Sequence, residues 1–152
     1  RLGHTVLDLD YRPMFWPDVE TARREISWML DYVTVAVGNR TECEIAVGTS
    51  DPDEAADRLL AHGISLALVK KGAEGVLVAT PEGRWTVEPN PVEVVCGLGA
   101  GDAFGGSLVH GLLSGWDPVR IARYANAAGA IVASRLACAD AMPDQKEIEE
   151  LL

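Results

Sequence analysis

Two hydrophobic periods alternate along the chain. Thr5–Asp10, with Val6, Leu7 and Leu9 among short polar residues, is predicted as a strand. Asp18–Leu30 changes to helical spacing behind an aspartate suited to capping. Tyr32–Val37 returns to a strand, and Asn39–Val47 predicts a short helix. Asp51-Pro52 opens a further helix, with the cap before the proline, and Gly63 closes it. Ser65–Lys70, Gly75–Thr80 and Arg84–Glu88 are predicted strands, the last two joined by a turn at Pro81-Glu82-Gly83. Three helices follow: Asp102–Ser114, Pro118–Arg135 and Gln145–Leu152. In the first of them Phe104, Leu108, Val109 and Leu112 are expected on one side. Strands alternating with helices imply an α/β fold, a mainly parallel sheet with helices on both faces. Ligands bind such sheets at the carboxyl ends of the strands, so the loops after Asp10, Val37, Lys70 and Val95 come forward.

The 152 residues are the usual size of one domain, with no repeat or linker. Thirteen basic against 23 acidic residues leave a net charge of -10, which argues against a nucleic-acid partner. A local pocket can still oppose that sign and take an anionic substrate. Cys43, Cys96 and Cys138 are widely spaced, and His4, His62 and His110 show no metal-ligand spacing, so no zinc site is expected. The cysteine usage fits a reduced, cytoplasmic setting. No apolar run approaches the roughly 20 residues of a membrane span, and no membrane partner is expected. Trp16, Trp28, Trp85 and Trp116 are expected as packing residues. The chain opens at Arg1 almost directly on a strand, which suggests a fragment of a longer protein.

The stretch CGLGAGDAF, Cys96–Phe104, carries the chemistry. Glycine-rich loops usually cradle phosphate, yet this one ends in a carboxylate. A dinucleotide fingerprint would need a third glycine where Asp102 stands. A P-loop would need a lysine before Ser107. A third reading fits. The N–H groups of Gly99, Ala100 and Gly101 converge at a helix start and form an anion hole. Asp102 accepts the proton of an attacking hydroxyl, as phosphoryl transfer to an alcohol requires. The competing reading makes Asp102 a helix cap and the glycines a turn.

With these residues in view, the sequence resembles the ribokinase-like (PfkB-type) carbohydrate kinases. G-A-G-D followed by A-F-G-G is similar to the family's C-terminal signature. Asn39-Arg40-Thr41-Glu42 matches its N-x-x-E motif, and Lys71-Gly72-Ala73-Glu74-Gly75 its G-x-x-G segment. Asn126-Ala127-Ala128-Gly129-Ala130 resembles the helix beside the adenine. Asp8–Pro13 with Phe15-Trp16, and Ala141-Met142-Pro143, look like the branch that acts on keto sugar acids. Within it, the similarity favours 5-dehydro-2-deoxygluconate of inositol catabolism over 2-keto-3-deoxygluconate. The resemblance covers residues 1–152 but only the C-terminal, nucleotide-binding part of the family's fold. It implies ATP and Mg²⁺. Where the family carries Asp or Asn, this chain has Cys96, so only backbone carbonyls near Leu98 and Ala137 remain for a monovalent cation.

The resemblance also implies roles, each with a plainer competitor. Asn39 and Glu42 would hold Mg²⁺ largely through water, or form a capping box. Arg12 would meet the substrate carboxylate or the transferred phosphoryl, or pair with Asp8 or Asp10. Lys70, Gly72 and Gly75 would line the nucleotide, although Lys70 could equally be solvated. Asn126 would border the adenine, or make a helix–helix hydrogen bond. Two other functional classes stay open: a nucleotide-binding module without turnover, and a structural remnant without a ligand. Without the family's N-terminal half and lid, the 152 residues alone are expected to self-associate and to phosphorylate no sugar.

Overall fold

The computed structural model describes residues 3–152. In chain order the elements are β1 Val6–Asp8, α1 Val19–Leu30, β2 Val35–Asn39, α2 Arg40–Val47, α3 Pro52–Ala61, β3 Leu66–Lys70, β4 Val76–Thr80, β5 Gly83–Val87, α4 Ala100–Leu113, α5 Pro118–Ala133 and α6 Gln145–Leu151. Short 3₁₀ turns stand at Pro13–Phe15, Gly72–Glu74 and Ala139–Ala141. The chain divides into two compact units. The first runs to Gly72 and includes Val76–Thr86, and the second holds Ala73–Gly75 and Val87–Leu152.

In the first unit the strands lie in sequence order, β1 to β5, in one sheet. The pairs β1–β2 and β2–β3 are parallel, and β3–β4 is antiparallel. Parallel strands need covered faces and read as unbroken apolar runs. That is the pattern of Leu66–Val69 in β3, and the antiparallel β4 shares it at Val76–Ala79, all buried. Ala36, Ala67, Val69, Leu77 and Ala79 face a core shared with Ala22, Ile26 and Leu30 of α1, Cys43, Ile45 and Ala46 of α2, and Ala55, Ala56 and Leu59 of α3. Each helix starts where the sequence supplies a cap. The Thr21 N–H donates to Asp18 at 2.7 Å, and the Glu54 N–H to Asp51 at 2.9 Å.

Cys43 lies fully inside this core. Burial, reinforced by the neighbouring Glu42 charge, pushes its thiol up to about 12. The thiolate is the reactive form, so Cys43 should stay unmodified in the native protein at pH 8. Iodoacetamide should label the half-buried Cys96 and Cys138 instead. Peptide mass mapping checks this, and rapid native labelling of Cys43 would mean that α2 does not stay packed.

In the second unit α4 and α5 pack very closely. A Cβ added at Gly111 would lie 2.8 Å from Ile121 Cγ1, and one at Gly129 would lie 3.2 Å from the Ala100 carbonyl oxygen. Ala103, Tyr124, Ala127, Ala128, Ile131 and Val132 form the core, joined by Ala141 and Ile148.

Several expectations need correction. Helix α4 buries Ala103, Phe104, Leu108 and Gly111, while Val109 is exposed, because it stands about 100° around the helix from Leu108 and off the packed face. Trp28 and Trp85 are exposed rather than packed, and Trp28 meets Tyr32 edge-on. Trp16 and Trp116 do pack against the two cores. Among the described residues no helix is long and apolar enough to cross a membrane.

Candidate active site

At the first unit's strand ends, β1 and β2 carry the chain towards three predicted residues. The Leu9 N–H donates to the Val37 carbonyl at 2.9 Å, so pairing continues past β1. Leu9 can lie over β2 only because Gly38 has no side chain: a Cβ there would stand 2.7 Å from Leu9 Cδ1. Arg12 follows and pairs with Asp10 at 2.9 Å, both side chains being more than half exposed. An exposed pair of this kind holds weakly and can be exchanged for a ligand anion.

Asn39 ends β2 and caps α2 directly. Its side-chain oxygen accepts the Glu42 N–H at 3.0 Å, while Glu42 Oε2 accepts the Asn39 N–H at 2.6 Å. The capping box is therefore formed. Glu42 is almost fully buried, whereas Asn39 is exposed. In the sheet Asn39 stands opposite Lys70, the last residue of β3. Asn39 and Lys70 thus mark the carboxyl ends of neighbouring parallel strands, where such sheets bind ligands. Glu42 lies just beyond, in the first turn of α2.

The two glycines of the predicted nucleotide segment differ. Gly72 has a φ of +64° with nothing near the place of a Cβ. Gly75, in the second unit, has a φ of +82°, and a Cβ there would overlap the Val87 carbonyl oxygen. Its absent side chain therefore serves packing.

The glycine loop of the second unit leads into α4. Gly99 is the N-cap, in the left-handed conformation with a φ of +87° and without a side-chain cap bond. Glycine suits this position twice over, since a Cβ would also lie 2.8 Å from Cys138 Sγ. Asp102 therefore is not the cap. It is the third helical residue, exposed, in the first turn. The helix also starts two residues earlier than expected.

The predicted anion hole needs one change. The Ala100 N–H already donates to the Gly97 carbonyl at 3.3 Å. The Gly101 and Asp102 N–H groups sit in the first turn, where no intrahelical acceptor exists. They remain, beside Gly99, as the candidate donors of this helix start. Upstream, the Val95 and Cys96 N–H groups both donate to the Ala133 carbonyl, at 2.8 and 3.0 Å, which fixes the loop's entry.

Among the described residues Asn126 bonds to an irregular segment rather than to another helix. Its Nδ2 donates to the Glu88 carbonyl at 2.9 Å and ties α5 to the segment after β5. The roles of two residues were not legible in the sequence: Cys138, against which Gly99 rests, and Arg135, whose guanidinium holds the Ala141 carbonyl at 3.0 Å and the Glu147 carboxylate. Gly99 and Cys138 stand far apart along the chain, and Arg135 reaches its acceptors across an irregular turn, so neither leaves a periodic pattern. Among the described residues no group of three or more His, Cys, Asp or Glu gathers as a metal cage.

Comparison with known proteins gives a consistent picture. The family model described as pfkB family carbohydrate kinase matches residues 2–145. The chain is 38% identical over 146 residues to the 2-dehydro-3-deoxygluconokinase of Thermoproteus tenax, covering 95% of this chain and 45% of that protein. It is 30% identical over 150 residues to the 5-dehydro-2-deoxygluconokinase of Bacillus licheniformis, covering 97% and 46%. Among solved structures, a putative ribokinase II from E. coli in complex with ATP and Mg²⁺ superposes with a TM-score of 0.85 at 28% identity, covering 95% and 46%. The chain spans about half the length of the curated relatives it matches.

Proposed function

Because the chain belongs to the pfkB family of carbohydrate kinases, we propose that the protein it represents transfers the γ-phosphoryl group of ATP to the primary hydroxyl of a keto sugar acid, 5-dehydro-2-deoxygluconate. The observation that carries this reading is the G-A-G-D loop at the start of α4, with Asp102 in the first turn beside N–H groups that lack intrahelical acceptors. A relative from Bacillus licheniformis named for that substrate supports the choice of acceptor. A second reading, 2-keto-3-deoxygluconate, is favoured by the higher identity to the Thermoproteus tenax relative.

In the proposed reaction Asp102 takes the proton of the acceptor hydroxyl as its oxygen attacks the γ-phosphorus. The bond from that phosphorus to the β,γ-bridging oxygen breaks, and ADP leaves with the electron pair. The Gly99, Gly101 and Asp102 N–H groups stabilise the charge on the transferred group. Lys70 would meet phosphate or ribose, the open space at Gly72 would admit the nucleotide close to the main chain, and Asn126 would border the base. Arg12 would release Asp10 to take the acceptor carboxylate.

Mg²⁺ would neutralise phosphate charge when bound. Asn39 and Glu42 fit such an ion as outer partners: each already spends an oxygen on the capping box, so they would orient its waters rather than cage it.

The test is a coupled ADP-release assay on the full-length protein with MgATP and, in parallel, 5-dehydro-2-deoxygluconate, 2-keto-3-deoxygluconate and ribose. The first acid should give the highest kcat/KM. A preference for the second acid would select the other reading, and turnover of ribose alone would overturn both.

A further inference from the structure

We propose that Arg135 is a positioning residue for the phosphoryl-binding loop, acting through the turn at Cys138–Met142. The inference rests on the kinase reading above and adds a device behind the loop.

The loop has no side-chain cap of its own. Gly99 starts α4 in the left-handed region, and what lies beneath it is the turn: Cys138 Sγ would be 2.8 Å and Met142 Cε 3.5 Å from a Cβ on Gly99. That turn is weak by itself. It is a 3₁₀ turn of three residues, Ala139–Ala141, closed by bonds of 3.1 Å from the Ala141 N–H and 3.3 Å from the Met142 N–H. Runs this short have poor hydrogen-bond geometry.

Arg135 supplies the missing constraint. It lies just beyond α5, two residues after Ala133, whose carbonyl anchors Val95 and Cys96 at the loop's entry. Its Nη1 donates to the Ala141 carbonyl at 3.0 Å, and its Nη2 to the Glu147 carboxylate. Glu147 is itself fixed. Its second oxygen accepts the Asp144 N–H at 3.0 Å, and its own N–H donates to Asp144 at 2.9 Å, a capping box that starts α6. One guanidinium therefore ties the end of α5, the turn and α6 together. Arginine's planar fork suits two acceptors at once, and lysine's ammonium does not.

Arg135 and Glu147 are each more than a third exposed, so the pair contributes little to global stability. Its loss should loosen the turn without unfolding the protein. Small misplacements of reacting groups cost rate steeply.

The experiment compares wild type, Arg135→Ala and Arg135→Lys in the full-length protein by hydrogen exchange of peptides spanning 96–104, thermal melting and steady-state kinetics. In Arg135→Ala the loop amides should exchange about tenfold faster, and kcat should fall about tenfold or more with a smaller change in KM for ATP. Arg135→Lys should recover part of both. Unchanged loop exchange in Arg135→Ala would overturn the proposal. So would a loss of activity that followed the melting temperature alone. Should Arg135→Ala not fold, Arg135→Lys carries the same comparison. A wild type that phosphorylates nothing would sink the kinase reading, while loop exchange still decides whether Arg135 positions the loop.

Discussion

Asp102→Asn should leave nucleotide binding in place and cut phosphorylation by ~10²–10⁴-fold, the usual range for a general base. Asparagine is nearly isosteric and still sits in the first turn of α4, where Gly99, not Asp102, is the cap. Removing a carboxylate from a helix start costs stability of only ~0.3–1 kcal/mol, while the rate loss corresponds to about 3–5 kcal/mol of barrier. Chemistry should therefore dominate the phenotype. Calorimetric titration with MgATP beside the ADP-release assay separates the two effects. Turnover within a few-fold of wild type would remove Asp102 from its role.

Gly75→Ala should be among the most destabilising single substitutions in the chain, and Gly72→Ala among the mild ones, although both lie in one motif. Both glycines are left-handed, a conformation that costs an ordinary residue roughly 1–2 kcal/mol. They differ in surroundings. Around Gly72 there is open space, so that cost stands alone. At Gly75 the new methyl would overlap the Val87 carbonyl, a backbone group that cannot rotate away. The expected loss is about 4 kcal/mol or more, in the range that marks a named defect. Urea unfolding of the two variants checks it. Losses equal within about 1 kcal/mol, the size of the conformational cost alone, would show that the contact with Val87 yields.

Much of this was legible in the sequence because it is local. All five strands and six helices stand where the hydrophobic period and the caps put them. Asp18, Asn39, Asp51, Asp117 and Asp144 each cap the helix that follows. The errors lie at boundaries set from a distance. The strand expected at Tyr32–Val37 starts at Val35, because the N–H groups of Tyr32 and Val33 close the end of α1. It runs on through Asn39 because Gly38 and Asn39 still pair with Val69 and Lys70 of β3. Helix α4 starts at Ala100 because the residue before it is a left-handed glycine cap, at a place where Cys138, far along the chain, leaves no room for a side chain. The candidate residues Asn39, Glu42 and Asp102 stand in motifs that are local in the sequence. Arg135 does not, since its meaning depends on Ala141 and Glu147 and on no spacing of its own.

Strand β2 ends at Asn39 and α2 begins at Arg40, with no residue between them. Such a junction has no slack to absorb a change in chain length. One extra residue inserted there would turn α2 by about 100° about its axis. Glu42 would leave its partner, and Cys43, Ile45 and Ala46 would rotate out of the core. Natural variants of this protein should therefore show no insertions or deletions at 39–40. Length variation should gather in the irregular stretch 89–94, which carries no helix or strand to turn and ends before the anchored entry of the glycine loop.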